Sequence, residues 1–213
     1  MPLRFSDFVT QDLITSIVTE QISIGNSLPT VNDPSLRSRL NAPSFVTKAG
    51  YKTGSETFVD SLETLGDWVL TYELGKVLWR FKPAISPALL TVSAIVTMYG
   101  LGLTMLLLQQ VRHCLANNHT FAYLTIAYKL DAEIRSKIPT GNRRGKALAD
   151  IFEMRMGALC EEDRECDVRR WCATVGLEMM KAVYESVVRL QDEQVRMEQE
   201  GEVFLAEALP CAD

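Results

Sequence analysis

The chain has 213 residues, with 22 Lys plus Arg against 27 Asp plus Glu, a formal net charge of −5. At 47% hydrophobic and 23% charged it has ordinary globular composition and the length for one domain with an appendage, which excludes a disordered tail, a collagen-like chain and a disulfide mini-protein. The acidic balance supplies no general field for nucleic acid or anionic lipid, so any nucleic-acid contact must come from local basic patches or bound metal.

In chain order, Asp7 to Ile24 carries apolar residues at helical spacing (Phe8, Leu13, Ile14, Ile17, Val18, Ile22) and is predicted as a helix. Gly25 to Pro34 is turn-rich and reads as a loop. Ser35 to Phe45 reads as a short helix that stops near Pro43, and Ala49 to Thr57 as a flexible loop. Phe58 to Phe81 is a strong helix broken by Pro83. Val111 to Leu130 is predicted as another helix, Ile138 to Gly145 as a Pro/Gly/Arg loop, Lys146 to Glu161 as a helix, and Asp167 to about Ala208 as one long helix or two. No period-2 strand and no internal repeat is visible, so the expected class is all-α. The division is 1–34 as N-terminal helix and loop, 35–189 as the main domain, and 190–213 as an acidic, Gln/Glu-rich tail. That tail reads as a solvated face or as a partner-binding helix.

Cys114, Cys160, Cys166, Cys172 and Cys211 are odd in number and widely spread. Together with an N-terminus that has no compact apolar centre, they point to free thiols in a reducing, intracellular setting. The six-residue recurrence of Cys160, Cys166 and Cys172 is not a zinc spacing.

Two segments carry candidate chemistry. In LETLGDWVL, Glu63 and Asp67 are four apart; in KALADIFEMRMGAL, Asp150 and Glu153 are three apart. Each pair shares one helix face. Four acids in apolar surroundings need a cation, and carboxylate oxygens select a hard one, Mg²⁺ or Mn²⁺. Such a site suits phosphodiester hydrolysis. Acidic pairs at helical spacing are also common surface features, so spacing alone leaves both readings open.

The lettering adds to this. SLETLGDWVL resembles the ribonuclease III signature E-x-L-G-D-x-V-L, and ADIFEMRMGAL resembles that family's second acidic motif, A-D-x-x-E-x-x-x-G-A, with Lys146 also in place. LNAPSF and CLANNHTFAYLTIAYKL are similar to two further blocks of the family. The four blocks occur in order over Leu40 to Met180. The resemblance implies a ribonuclease III-like helical endonuclease fold in which Glu63, Asp67, Asp150 and Glu153 hold Mg²⁺, with Mn²⁺ as substitute. It implies cleavage of double-stranded or structured RNA, leaving 5′-phosphate and 3′-hydroxyl ends, by a homodimer with one site per strand. The alternative is a non-catalytic RNA–protein assembly subunit on the same fold, which retention of all four acids disfavours.

Departures concern the dimer. Thr64 stands where the family commonly has an aromatic plug, which leaves the dimer contact open, and Trp68, at a usually small position, is a candidate replacement; Asp60 is a candidate supporting carboxylate. No double-stranded RNA-binding domain is visible, so affinity is expected to be weak, salt-sensitive or supplied by a helper protein. Candidate RNA contacts are Asn117, Asn118, His119, Arg143, Arg144 and Lys146, with a helix cap as the equal alternative for Asn117 and Asn118.

Pro83 to Gln110 contains no charge, and Ala88 to Leu108 is 21 residues of near-continuous apolar chain. Its length fits a bilayer span. Against the family spacing, however, Val92 to Gln109 is an 18-residue insertion. Val-Ser can be encoded GTAAGT, Leu103-Thr104 can contain CTGAC, and Leu-Gln can close on CAG, so the segment also has the form of an unspliced intron in frame. Intron, real insertion and membrane span are all open, with the span least expected; the cDNA sequence separates the first from the others.

Overall fold

In the computed structural model the described residues are 9–41, 54–81, 111–132 and 144–186, with 189 and 196. Among them there is helix and no strand, as an all-α chain requires. The helices are α1 (Gln11–Ser23), α2 (Pro34–Leu40), α3 (Gly54–Arg80), α4 (Asn118–Ala127), α5 (Arg144–Glu161) and α6 (Glu165–Trp171). A π-helical turn, Cys172–Gly176, follows α6, and helix continues over 177–186.

The capping chemistry explains the boundaries. Thr10 Oγ1 accepts from the Leu13 amide and starts α1 later than apolar periodicity alone placed it. At the other end Gly25, at φ 90°, closes α1. Its amide donates to Ile22 O and that of Asn26 to Gln21 O, the paired bonds that satisfy a helix C-terminus. Asp33 caps α2 by accepting from Ser35 and Leu36, with Pro34 at the first helical position. α2 ends at Leu40; the expected extension to Phe45 and the Ala49 to Thr57 loop fall largely outside the described residues, although α3 already starts at Gly54.

The single helix expected over Val111 to Leu130 is two. Helix over 111–115 breaks at Asn117, whose Oδ1 accepts from the amides of His119 and Thr120 and whose Nδ2 donates to His113 O and Cys114 O. One side chain thus closes one helix and opens α4. Thr120 Oγ1 strengthens the corner by donating to Cys114 O.

α5 is the central helix. From Ala147 to Cys160 every residue except Arg155 is buried, so it is covered on all sides, with α3 making its most extensive contact and α4 the next. Phe121 of α4 stacks on Phe152 of α5 at 5.7 Å, and Phe152 meets Trp171 of α6 at 5.3 Å. The Trp171 indole donates to Tyr128 Oη. The loop between α1 and α2 is strapped to the far end of α5. Arg155 donates to Pro29 O, Arg164 to Thr30 O, and Glu162 Oε1 accepts the amides of Asn32 and Asp33.

No helix among the described residues is long and apolar enough to cross a membrane. The apolar segment Ala88 to Leu108, Arg143, and the tail from 190 apart from Arg196 lie outside the described residues.

Candidate metal centre

The two acidic helices meet where they have no side chains. Gly66 lies between Glu63 and Asp67 on α3, and Gly157 is one turn beyond Glu153 on α5. A Cβ on Gly66 would lie 1.8 Å from Glu153 O, and one on Gly157 would lie 2.0 Å from Leu62 O. The helices therefore cross backbone against backbone, closer than any pair of side chains would permit. That crossing brings the flanking carboxylates together.

Glu63, Asp150 and Glu153 each offer a carboxylate oxygen, and these oxygens lie within 4.8 Å of one another. Asp150 and Glu153 are buried, at 8% and 6% exposure, while Glu63 is half-buried. The fourth expected acid, Asp67, is half-buried one turn along α3 and stands outside this close triad; its Oδ1 accepts from Thr71 Oγ1 at a long 3.5 Å. It is still close enough to act on the triad electrostatically. The Glu153 carboxyl is pushed up to about 7, first by burial, then by the negative charges of Asp67, Asp150 and Glu63, against the opposing pull of Lys146.

Lys146, one of the expected RNA contacts, lies against this cluster. Its Nζ is 3.1 Å from Glu63 Oε1 and 2.8 Å from Asp150 Oδ1, so the ammonium bridges α3 and α5. Partial burial alone would lower its pKa; the two carboxylates, Asp150 foremost, hold it above the usual lysine range. A buried acid further along α3 shows the difference. Glu73 is answered by both Lys76, at 2.9 Å, and Arg169, at 3.4 Å. The cluster sets four carboxylates against one bridging ammonium.

All donors in the triad are carboxylate oxygens, they are largely withdrawn from water, and they carry surplus negative charge. That donor set fits a hard divalent cation, Mg²⁺ or Mn²⁺, and not a soft one. Cys114, Cys160 and Cys172 are buried free thiols and Cys166 an exposed one, and none belongs to the cluster.

Among the other expected contacts, Asn118, His119 and Arg144 are exposed. Asn117 spends both ends of its amide on the helix corner, the capping alternative. Gly66 and Gly157 stand in the two acidic motifs, where the lettering alone gives them no structural role. Their signal was a glycine one turn from each acidic pair, inside a helix that would otherwise avoid glycine. No protein-family model matches the chain, and neither a curated protein nor a solved structure is significantly similar to it.

Proposed function

We propose that the protein is a divalent-metal-dependent endoribonuclease of the ribonuclease III type, acting on double-stranded or structured RNA. The observation that carries this reading is the meeting of Glu63 with Asp150 and Glu153 across the α3–α5 crossing, three buried or half-buried oxygen donors within 4.8 Å. When bound, Mg²⁺ would polarise the scissile phosphate and offset the charge on the leaving oxygen. Glu63, Asp150 and Glu153 would hold it, and Asp67 would add negative charge beside them. Water adds to phosphorus, the P–O3′ bond breaks, and the 3′ oxygen leaves with a proton. The products are a 5′-phosphate and a 3′-hydroxyl. Exposed Asn118, His119 and Arg144 are the proposed backbone contacts, and a helper protein is proposed to supply the RNA affinity that so few contacts lack at physiological salt.

The test is cleavage of duplex RNA by the full chain in Mg²⁺ or Mn²⁺, with EDTA, Asp67→Asn and Glu153→Gln as comparisons. The expected result is metal-dependent cleavage, reduced about 100-fold or more in the variants, the order of loss for a disturbed metal centre. Equal cleavage by Glu153→Gln would exclude the site. The rival, a non-catalytic assembly subunit, is distinguished by RNA binding that is indifferent to the metal and never followed by cleavage. The buried acid cluster favours the enzyme, because a scaffold gains nothing from four repelling carboxylates.

The homodimer belongs to the same proposal. Trp68, Tyr72 and Trp79 are 69%, 64% and 65% exposed and lie at i, i+4 and i+11 on α3, one continuous aromatic face. Thr64 beside them is exposed as well, and Trp68 is the proposed plug in its place. Light scattering at micromolar concentration should give twice the chain mass for wild type and the single mass for Trp68→Ser/Trp79→Ser. A monomeric wild type would remove the dimer from the proposal.

A further inference from the structure

Lys146 bonds to two carboxylates that come from different helices, and those are two of the three that make up the candidate centre. Its Nζ therefore stands in the space between Glu63 and Asp150, where a cation shared by both helices would also have to be. The side chain leaves the first turn of α5, and it is 62% exposed, against 30% for Glu63 and 11% for Asp150. The arm can swing into water while the carboxylates stay in place. Two needs meet at this position. Without a cation, Glu63, Asp67, Asp150 and Glu153 repel one another across a backbone-tight crossing; with a divalent ion, a retained ammonium would repel it at close range.

We propose that Lys146 is a built-in counter-ion for the metal-free centre, and that a divalent ion binds by displacing its ammonium from Glu63 and Asp150. The displacement rests on the metal-centre reading above. It makes the empty fold self-sufficient and sets the metal affinity low, because each binding event must break two ion pairs. Loading then reflects the ambient divalent concentration rather than permanent occupancy.

Two measurements test this, both on the full chain without RNA. The first is Mn²⁺ titration by calorimetry. Lys146→Met should bind Mn²⁺ at least tenfold more tightly than wild type and melt at a lower temperature in EDTA. Lys146→Arg, which keeps the charge, should stay near wild type. The second uses wild-type protein alone, so it does not depend on a variant folding. Lys146 should be acetylated slowly in EDTA, and its labelling rate should rise several-fold in saturating Mn²⁺, with Lys181 as the unaffected reference. Equal or weaker Mn²⁺ binding by folded Lys146→Met, or a labelling rate that Mn²⁺ leaves unchanged despite binding, overturns the counter-ion role and leaves the metal centre standing. Absence of Mn²⁺ binding in every variant overturns the metal centre itself, and the counter-ion role with it.

Discussion

Gly66→Ala is expected to destabilise the protein by about 3 kcal/mol, although alanine is the better helix former by about 1 kcal/mol. The added Cβ would fall 1.8 Å from the carbonyl oxygen of Glu153, with Gly157 N at 2.9 Å. Backbone atoms in the central helix cannot rotate away as a side chain tip can. α3 and α5 must separate, and what is packed along that seam loses contact, including buried Leu62. Gly157→Ala meets Leu62 O at 2.0 Å from the opposite side and should cost a similar amount. Gly75→Ala is the internal control. It lies on the same α3 with nothing within 4 Å of its would-be Cβ, so it should leave stability unchanged or raise it by up to about 1 kcal/mol. Urea unfolding of the three variants gives the answer. Parting the helices also draws Glu63 away from Asp150 and Glu153, so Mn²⁺ affinity should fall in folded Gly66→Ala and hold in Gly75→Ala. A Gly66→Ala protein as stable as wild type would mean that the helices do not cross at this point.

The same crossing marks the limit of what the lettering conveys. Helical spacing puts Glu63 and Asp67 on one face and Asp150 and Glu153 on another, because a face is a local property of 3.6 residues per turn, yet the close triad takes Glu63, Asp150 and Glu153 and leaves Asp67 one turn along α3. That the two faces meet is a property of two helices about 90 residues apart in the chain, and periodicity holds no information about pairing. The strap from Arg155, Glu162 and Arg164 to the α1–α2 loop was illegible for the same reason, since it joins residues more than 120 apart. At Asn117 two rules competed. Apolar recurrence favoured one helix through 111–130, while asparagine's capping preference favoured a break, and the cap prevailed because its side chain satisfies four backbone groups at once. The π turn at Cys172–Gly176 left no local mark; Gly176 there faces Leu74 Cδ2, a contact from a distant helix. Lys146 was legible as a motif letter and as a surface cation. Its place between Glu63 and Asp150 depends on the tertiary approach of α3.

Metal-free protein is expected to lose stability as pH rises from about 5 to about 7. Glu153 is responsible. Its carboxyl titrates near 4.5 when unconstrained and is pushed up to about 7 in the fold by burial and by the charges of Asp67, Asp150 and Glu63. Between those values the folded state holds a proton that the unfolded state has released. Stability therefore falls with pH across this window and levels off, for this group, above about 7. The full displacement corresponds to about 3 kcal/mol as an upper bound, since relaxation of Glu63 and Lys146, both partly exposed, would reduce it. Urea midpoints measured in EDTA from pH 5 to pH 8 would show the decline, and Glu153→Gln, which cannot ionise, should flatten it. A divalent ion reverses the preference, because it binds the ionised carboxylate. In saturating Mn²⁺ the stability added by metal should therefore grow as pH rises from 5 to 7, from a small increment to the largest at the alkaline end. A wild-type profile that is flat or rising in EDTA, and unchanged by Glu153→Gln, would mean that Glu153 shares no buried site with the other three acids.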